Sequence, residues 1–335
     1  MKPARHTLPL LALTLLLVAA SMMEWDEQPE MAEKGVEPAF TGFRKVDDYP
    51  LYVLHYEGDY GFGEYLATGE TPLVGYIHVP GCTVFTAMGG GETLMGRNFD
   101  FPSNPALLLY TDPPDGYASV SMVDLGYFGY SLSNLPQEGD LDSLLAALYL
   151  PFDGMNEKGL AVGMAAIPEA LAPTAEGKTT IGEIQVIRLL LDYAGDVDEA
   201  LTLLEEYNVE MTTPPIHYMI ADGSGESVVV EYIHGEMHVL REEMPYQVMT
   251  NYIIQGAQTG LDAPCWRYRA VYEGLSGCNG VLSAGEAMDL LSEASQSSTI
   301  WSIVYDASTG EIHVAMGHSY ENIYMFSLDM TGGSP

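Results

Sequence analysis

The apolar positions along the chain fall into two patterns. Short runs rich in β-branched and aromatic residues, bounded by Gly, Pro, Asn or Asp, predict β-strands. Longer stretches with apolar residues three or four apart predict helices, one of them capped by Thr179 or Thr180 and carrying its apolar face through Ile184 to Leu191. Strands come in blocks and helices come in pairs, so we expect an α+β fold of layered sheets covered by helices. The predicted strands are 51–56, 73–79, 83–87, 93–98, 106–111, 118–123, 160–166, 216–221, 227–233, 237–240, 247–251, 299–306, 312–315 and 323–328, and the other helices are 141–150, 196–207 and 284–294.

The strand at 83–87 and the strand at 93–98 flank a glycine-rich turn and predict a hairpin. This hairpin would fold Arg97 and Asp100 back toward Cys82. A cysteine attacks as the thiolate, so it needs a base for its proton and a positive neighbour for the anion. Arg97 supplies the charge and Asp100 can orient it. No histidine lies nearby in sequence, but cleavage between Gly81 and Cys82 would free an α-amino group, whose ordinary pKa is about 8, to act as the base.

These residues also carry a family resemblance. The motifs around Cys82 and Arg97 resemble those of the N-terminal-nucleophile amidases of the choloylglycine hydrolase, acid ceramidase and penicillin acyltransferase-like superfamily. Further matching segments follow in chain order, and the whole set spans roughly residues 50–330. The segments are Gly81-Cys82-Thr83, Gly96-Arg97-Asn98-Phe99-Asp100-Phe101, Asp153-Gly154-Met155-Asn156-Glu157-Lys158-Gly159-Leu160, Thr250-Asn251-Tyr252 and Trp266-Arg267-Tyr268-Arg269.

The resemblance implies a four-layer αββα sandwich and a set of catalytic residues. Cys82 would be the nucleophile, its freed α-amino group the general base, and Arg97 and Asp100 its neighbours. Asn251 would donate a hydrogen bond to the developing oxyanion, a contact worth several kcal/mol when the donor is pre-positioned. Arg267 resembles the second catalytic arginine of the superfamily. Arg269 is a rival, because bile salt hydrolases have two arginines three residues apart rather than two.

Two features of the chain differ from bile salt hydrolases and indicate which branch of the superfamily it resembles. Bile salt hydrolases carry an asparagine ten residues after the position of Asn156, whereas this chain has Ala166. About sixty residues precede the position where a mature chain would begin, and such a leader resembles the acid ceramidase and penicillin acyltransferase-like branches. Asn156 itself resembles a residue that positions the sheet.

The first residues predict export. Lys2 and Arg5 precede an apolar run at 8–20 that ends in small residues, which is typical of a secretory signal peptide at 1–21. We therefore expect a secreted or extracytoplasmic protein. Residues 22–81 would form a propeptide or a small N-terminal chain, either discarded or kept in association after cleavage, and residues 82–335 the catalytic domain.

The charge of the chain limits the classes of partner that we expect. The formal net charge of the 335-residue chain is -35, which disfavours nucleic acid and anionic membranes as partners. No stretch after the signal peptide reaches about 18 uninterrupted apolar residues, so no stable membrane span is expected.

Of the three cysteines, Cys265 and Cys278 could form a disulfide, or both could be buried thiols. Two histidines, His234 and His238, do not fit a zinc motif, and neither a metal nor an organic cofactor is expected.

The sequence thus predicts an exported, self-processing cysteine amidase. It would hydrolyse a linear C–N amide bond of a small N-acyl compound, such as an N-acyl amide, a ceramide-like lipid or a bile-acid-like conjugate, through a thioester on Cys82. Two alternatives remain open. One is an acyltransferase that passes the acyl group to an amine, and the other is a non-catalytic acidic surface protein on the same scaffold.

Overall fold

The computed structural model describes residues 39–70, 81–211 and 214–330. The predicted signal peptide, residues 22–38 and the predicted strand at 73–79 lie outside these ranges. Within the described part of the chain, no helix is long and apolar enough to cross a membrane.

Seventeen strands and five α-helices make up most of the described residues. The strands are β1 (Ala39–Lys45), β2 (Leu51–Glu57), β3 (Gly81–Ala87), β4 (Leu94–Asp100), β5 (Ala106–Asp112), β6 (Ser119–Asp124), β7 (Asp153–Asn156), β8 (Ala161–Ala166), β9 (Thr180–Gly182), β10 (Asn208–Glu210), β11 (Ile216–Ala221), β12 (Ser227–Ile233), β13 (Glu236–Arg241), β14 (Tyr246–Thr250), β15 (Thr299–Asp306), β16 (Glu311–Met316) and β17 (Tyr324–Ser327). The α-helices are α1 (Phe62–Thr68), α2 (Gln185–Tyr193), α3 (Val197–Glu206), α4 (Trp266–Cys278) and α5 (Ala284–Glu293), and 3₁₀ helices span Leu125–Phe128, Glu138–Tyr149 and Gly260–Asp262.

Two large sheets face one another. The first has nine strands in the order β1-β2-β5-β6-β7-β8-β11-β12-β13, and the second has six in the order β14-β3-β4-β15-β16-β17. Strands β3 and β8 are in contact across the interface, where Val84 and Gly163 meet. Helices α2 and α3 pack on the nine-stranded sheet, and α4 and α5 pack on the six-stranded sheet. The predicted αββα sandwich is therefore confirmed.

The central strands are buried on both faces because each sheet lies between a helix layer and the other sheet. Every residue of β4, β8 and β15 is buried. Polar residues on these strands consequently have to find partners inside the protein, since water does not reach them. This constraint brings several charged side chains into the interface between the sheets.

The predicted hairpin is confirmed. Strands β3 and β4 pair antiparallel, with Cys82 opposite Phe99 and Val84 opposite Arg97. The turn between them contains Gly91 at φ 86°, a conformation that glycine adopts without a side-chain clash. The pairing places the first residues of β3 beside the last residues of β4, at one end of the six-stranded sheet.

Two of the predicted helices differ from those observed. The threonines expected to cap α2 do not do so, because Thr180 starts the short strand β9, which pairs in parallel with β10. Helix α2 begins five residues later, at Gln185. The helix predicted at 141–150 is a longer 3₁₀ helix that begins at Glu138, where Gln137 and Asp140 form a capping box.

Helix α4 was not predicted, and it excludes the proposed disulfide. Cys265 caps the start of this helix and Cys278 is its last residue. A rise of about 1.5 Å per residue puts their Cα atoms roughly 20 Å apart, whereas a disulfide needs about 7 Å or less. The pairing of Cys265 with Cys278 is therefore wrong, and both thiols are free and partly buried.

Candidate active site

Cys82 is the second residue of β3, and its side chain is fully buried between the sheets. The guanidinium of Arg97 donates a hydrogen bond from Nη2 to the Cys82 Sγ over 3.4 Å. This contact arises from the register of the hairpin, in which Arg97 lies two residues along β4 from the partner of Cys82. The structure thus brings together the thiol and the cation that the sequence predicted.

The sequence analysis did not assign a role to Asp153, which lies on the other side of Arg97. Both side chains are fully buried and form an ion pair between β4 and β7, so the pair joins the two sheets. Asp153 also accepts hydrogen bonds from Trp301 Nε1 at 3.2 Å and from the Tyr305 hydroxyl at 2.6 Å. Burial disfavours the charged guanidinium and so lowers the pKa of Arg97. The interactions with Asp153 and Cys82 outweigh this effect, and the pKa of Arg97 is raised. Arg97 therefore stays charged beside the sulfur.

Asp100, the last residue of β4, lies beside Gly81. Its carboxylate accepts hydrogen bonds from the Thr299 hydroxyl, from Gln296 Nε2 at 2.5 Å and from Arg267 Nη1 at 3.3 Å. A methyl group added at Gly81 would lie 2.9 Å from Gln296 Nε2 and 3.0 Å from the Asp100 Cβ. Glycine at position 81 therefore lets the carboxylate approach the Gly81–Cys82 peptide closely.

Arg267 reaches the site from the first turn of α4. It donates hydrogen bonds to the backbone carbonyl of Cys82, to the Thr83 hydroxyl at 3.0 Å and to Asn251 Oδ1 at 2.8 Å. Arg269 instead donates to the carbonyl of Ala263 at 2.6 Å. Of the two candidate arginines, the geometry places Arg267 at the nucleophile.

Asn251 directly follows β14, which pairs with β3, and this places its amide beside Cys82. The Cys82 backbone N–H donates to Asn251 Oδ1 at 2.7 Å, and Asn251 Nδ2 donates to the carbonyl of Ala166 at 2.8 Å. The amide oxygen thus holds the nitrogen atom that cleavage would turn into an α-amino group. Its predicted role as an oxyanion donor stays a prediction.

The electrostatic environment keeps the thiol neutral in this uncleaved chain. Burial raises the pKa of Cys82, and the negative charge of Asp100 raises it further. The positive charge of Arg97 lowers this pKa, but the net effect is a raised pKa. Cys265 differs: burial raises its pKa, but hydrogen bonds from Thr250 and from backbone N–H groups at the start of α4 outweigh this and lower it. The raised pKa of Cys82 favours its neutral thiol, whereas the lowered pKa of Cys265 favours its thiolate.

Comparisons with known proteins agree with this fold. Residues 139–253 match the model of the family described as linear amide C-N hydrolases, choloylglycine hydrolase family. The structure is similar to that of penicillin V acylase from Agrobacterium tumefaciens, with a TM-score of 0.53 at 18% identity over 74% of this chain and 88% of that one. A mutant of the conjugated bile acid hydrolase from Clostridium perfringens also gives 0.53 at 18% identity, over 74% and 92% of the two chains. The predicted resemblance to the N-terminal-nucleophile amide hydrolases is confirmed.

A curated relative shows the extent of the sequence similarity. Penicillin V acylase from Pectobacterium atrosepticum is 33% identical over 112 residues, which is 30% of this chain and 29% of that protein. The segment that matches the family model contains Asp153 and Asn251, whereas Cys82, Arg97 and Arg267 lie outside it. The fold and the site geometry connect these residues to the matched segment.

The electrostatics predict an order of thiol reactivity in the uncleaved chain. Iodoacetamide should label Cys265 at least about tenfold faster than Cys82 at pH 8, because thiolate fraction and access govern the rate. The labelling rate of Cys82 should rise with pH through a midpoint above that of an ordinary thiol. Peptide mass spectrometry of the folded precursor, isolated before any cleavage at Gly81–Cys82 and labelled for increasing times, measures both rates, and faster labelling of Cys82 would contradict the description of a buried, neutral thiol.

Proposed function

We propose that the protein is an exported, self-processing cysteine amidase that hydrolyses a linear C–N amide bond of a small N-acyl compound. The observation that carries the proposal is the position of the Cys82 backbone nitrogen, 2.7 Å from Asn251 Oδ1, while the thiol contacts Arg97. Cleavage before Cys82 would leave an amine and a thiol on one residue, with a cation at the sulfur. The amide-hydrolase family match supports the reaction class.

The first step of the proposal is self-cleavage. The Cys82 sulfur attacks the carbonyl carbon of Gly81, the C–N bond to Cys82 breaks, and the thiol proton moves to the departing nitrogen. The result is a thioester between the Gly81 carbonyl and the Cys82 sulfur. Water then adds to the thioester, which frees the thiol and leaves a carboxylate on Gly81. Asp100 lies beside this peptide bond and can hold the attacking groups in place.

The second step is turnover of the substrate. The free α-amine takes the thiol proton, the sulfur attacks the substrate carbonyl, and the amine of the substrate leaves with the proton that the α-ammonium returns. Water hydrolyses the resulting acyl thioester, the acid product leaves, and the thiol is restored. Arg97 stabilises the thiolate, and Arg267 and Asn251 hold the α-amine in position.

For the substrate we propose an uncharged N-acyl amide rather than an anionic conjugate. The similar proteins are described as acting on penicillin V and on conjugated bile acid. The formal net charge of -35 disfavours an anionic substrate through long-range repulsion. The bile salt hydrolase asparagine is also replaced by Ala166, whose carbonyl here accepts a hydrogen bond from Asn251 Nδ2.

Export is the other part of the proposal. The basic residues and the apolar run at the start of the chain support it.

We further propose that the segment before Cys82 stays bound after cleavage. Strand β2 lies inside the nine-stranded sheet, between β1 and β5, and pairs in parallel with β5 over seven residues from Leu51 to Glu57. Removing it would expose the buried edge of β5 and the apolar side chains of β2. The fragment is therefore a structural part of the sheet.

Buried side-chain contacts add to the strand pairing. The Tyr60 hydroxyl donates to Asp192, which also forms an ion pair with Arg188 at 2.9 Å. Burial raises the pKa of Asp192 to about 6 despite the two partners, so this carboxylate depends on each of its donors. Tyr65 accepts a hydrogen bond from the Gly182 N–H at 3.0 Å. The contacts of Tyr60 and Tyr65 both cross the proposed cleavage point.

The amidase proposal predicts a specific loss of activity. Cys82→Ala should reduce hydrolysis of N-acyl amides to background, because the acyl group loses the atom that carries it. The measurement compares penicillin V, a glycine-conjugated bile acid and an uncharged N-acyl ethanolamine, with release of the free amine followed over time. Mass spectrometry of the quenched wild type should show the acyl group on the Cys82 peptide.

Cys265→Ala is the matched control, because it removes a different thiol, which is partly buried and lies outside the proposed chemistry. Its activity should match the wild type. Retained activity in Cys82→Ala, or an acyl group on Cys265, would contradict the proposal. Added acceptor amines in the same assay distinguish hydrolysis from acyl transfer, which would give a new amide product.

Retention of the N-terminal fragment predicts that both pieces elute together on size exclusion and separate only in denaturant. Tyr60→Phe should lower the urea midpoint of separation, because loss of a hydrogen bond to a buried carboxylate costs roughly 1–3 kcal/mol. Tyr207→Phe is the control, since its side chain is partly exposed. Elution of the catalytic chain alone from freshly cleaved wild type would overturn retention.

A further inference from the structure

A buried ion pair that the proposed reaction does not use lies behind the Asn251 loop. His217 and Glu231 are on the neighbouring strands β11 and β12 of the nine-stranded sheet, and both side chains are fully buried. His217 Nδ1 is 2.9 Å from Glu231 Oε1, and His217 Nε2 is 2.8 Å from the backbone carbonyl of Thr250. The pair therefore contacts the residue that directly precedes Asn251.

The hydrogen-bond partners of His217 determine that its Nε2 atom carries a proton. A backbone carbonyl only accepts hydrogen bonds, so His217 Nε2 must carry a proton. Glu231 accepts from the Ile254 N–H at 2.8 Å and from the Gln255 N–H at 2.9 Å, and both contacts need acceptor oxygens. Burial would raise the pKa of Glu231, but the hydrogen bonds from His217 and the two N–H groups outweigh it and lower the pKa. The Glu231 carboxylate also faces His217 Nδ1, and hydrogen bonds that involve a charged group are stronger than neutral ones.

His217 and Glu231 form hydrogen bonds with both ends of the loop that contains Asn251. The carbonyl of Thr250 is held by the histidine, and the N–H groups of Ile254 and Gln255 are held by the glutamate. Asn251 lies between these fixed points, just after the end of β14. Two strands of the nine-stranded sheet thus brace a loop that emerges from the six-stranded sheet.

We propose that His217 and Glu231 are a positioning pair that fixes Asn251 against the Cys82 nitrogen and Arg267. This inference rests on the proposed amidase function. The pair touches neither the thiol nor a substrate, so its effect passes through the Asn251 amide, whose Oδ1 contacts both Cys82 N and Arg267 Nη2. A displacement of the loop would misplace the α-amine relative to the sulfur and lower the rate without weakening substrate binding.

The kinetic test uses His217→Gln and Glu231→Gln. Each should lower kcat per titrated active site by about 10- to 100-fold with KM within about threefold, since the loss concerns the transition state. His238→Gln is the matched control, because His238 faces Glu236 at 3.8 Å in a partly exposed pair on the same sheet. Unchanged kcat per folded site in both buried variants would overturn the proposal.

A double-mutant cycle tests the route of the effect. If the pair acts through Asn251, His217→Gln should cause no further loss of kcat in an Asn251→Ala background. Losses that multiply would show that the pair contributes only general stability, and they would overturn the positioning role.

A third measurement does not depend on activity, so it separates this inference from the proposed function. In Glu231→Gln, amide hydrogen exchange at 251–255 should accelerate at least about tenfold relative to wild type while exchange in β15 is unchanged. Uniformly accelerated exchange, or no change in the loop, would contradict the inference. An inactive wild type with local acceleration would instead refute the proposed function alone.

Discussion

The site depends on the ion pair between Arg97 and Asp153. A guanidinium with no access to water is tolerated only when a nearby charge and hydrogen bonds replace its hydration, and removal of one partner from such a pair costs roughly 3–5 kcal/mol. Asp153 provides the charge from the nine-stranded sheet, and Trp301 and Tyr305 donate to the same carboxylate from β15. The pair thereby fixes the distance between the sheets and places a permanent cation at the Cys82 sulfur.

A second cluster surrounds the peptide of the nucleophile. Arg267 from α4 contacts the carbonyl of Cys82, while Asn251, after β14, contacts its N–H. Asp100 completes the cluster from the end of β4. Two elements distant in sequence, α4 and the end of β14, thus meet the hairpin partner β4 at the first residues of β3. Cys82 is fully buried within this cluster, and burial raises the pKa of its thiol.

Much of the fold could be predicted because its strands are short runs rich in β-branched and aromatic residues and its turns contain glycine and aspartate. The hairpin around Cys82 followed from such local signals, and so did α3, which was predicted at 196–207 and spans Val197–Glu206. Helix α4 was missed although Tyr268, Val271 and Leu275 recur at three- and four-residue spacing and are buried. Its first turn drew attention only as an arginine motif, so the sequence left open the pairing of Cys265 with Cys278, which the helix excludes.

The candidate site could be predicted only as far as its residue types. Cys82, Arg97, Asp100, Asn251 and Arg267 all meet in the structure, but nothing local in the sequence pairs Asp153 with Arg97, since the contact joins two sheets. His217 and Glu231 were missed for the same reason, because their partners belong to a loop of the opposite sheet. The threonines before α2 misled because β-branched residues favour a strand as readily as a cap.

The central claim is that Cys82 becomes the first residue of the active chain. Intact mass and N-terminal sequencing of the wild-type protein, purified after export, test this most directly. The account predicts a catalytic chain that begins at Cys82 and a separate fragment that ends at Gly81. An active protein in which the Gly81–Cys82 peptide bond remains intact would contradict it, because the thiol would then work without the α-amino group as its base.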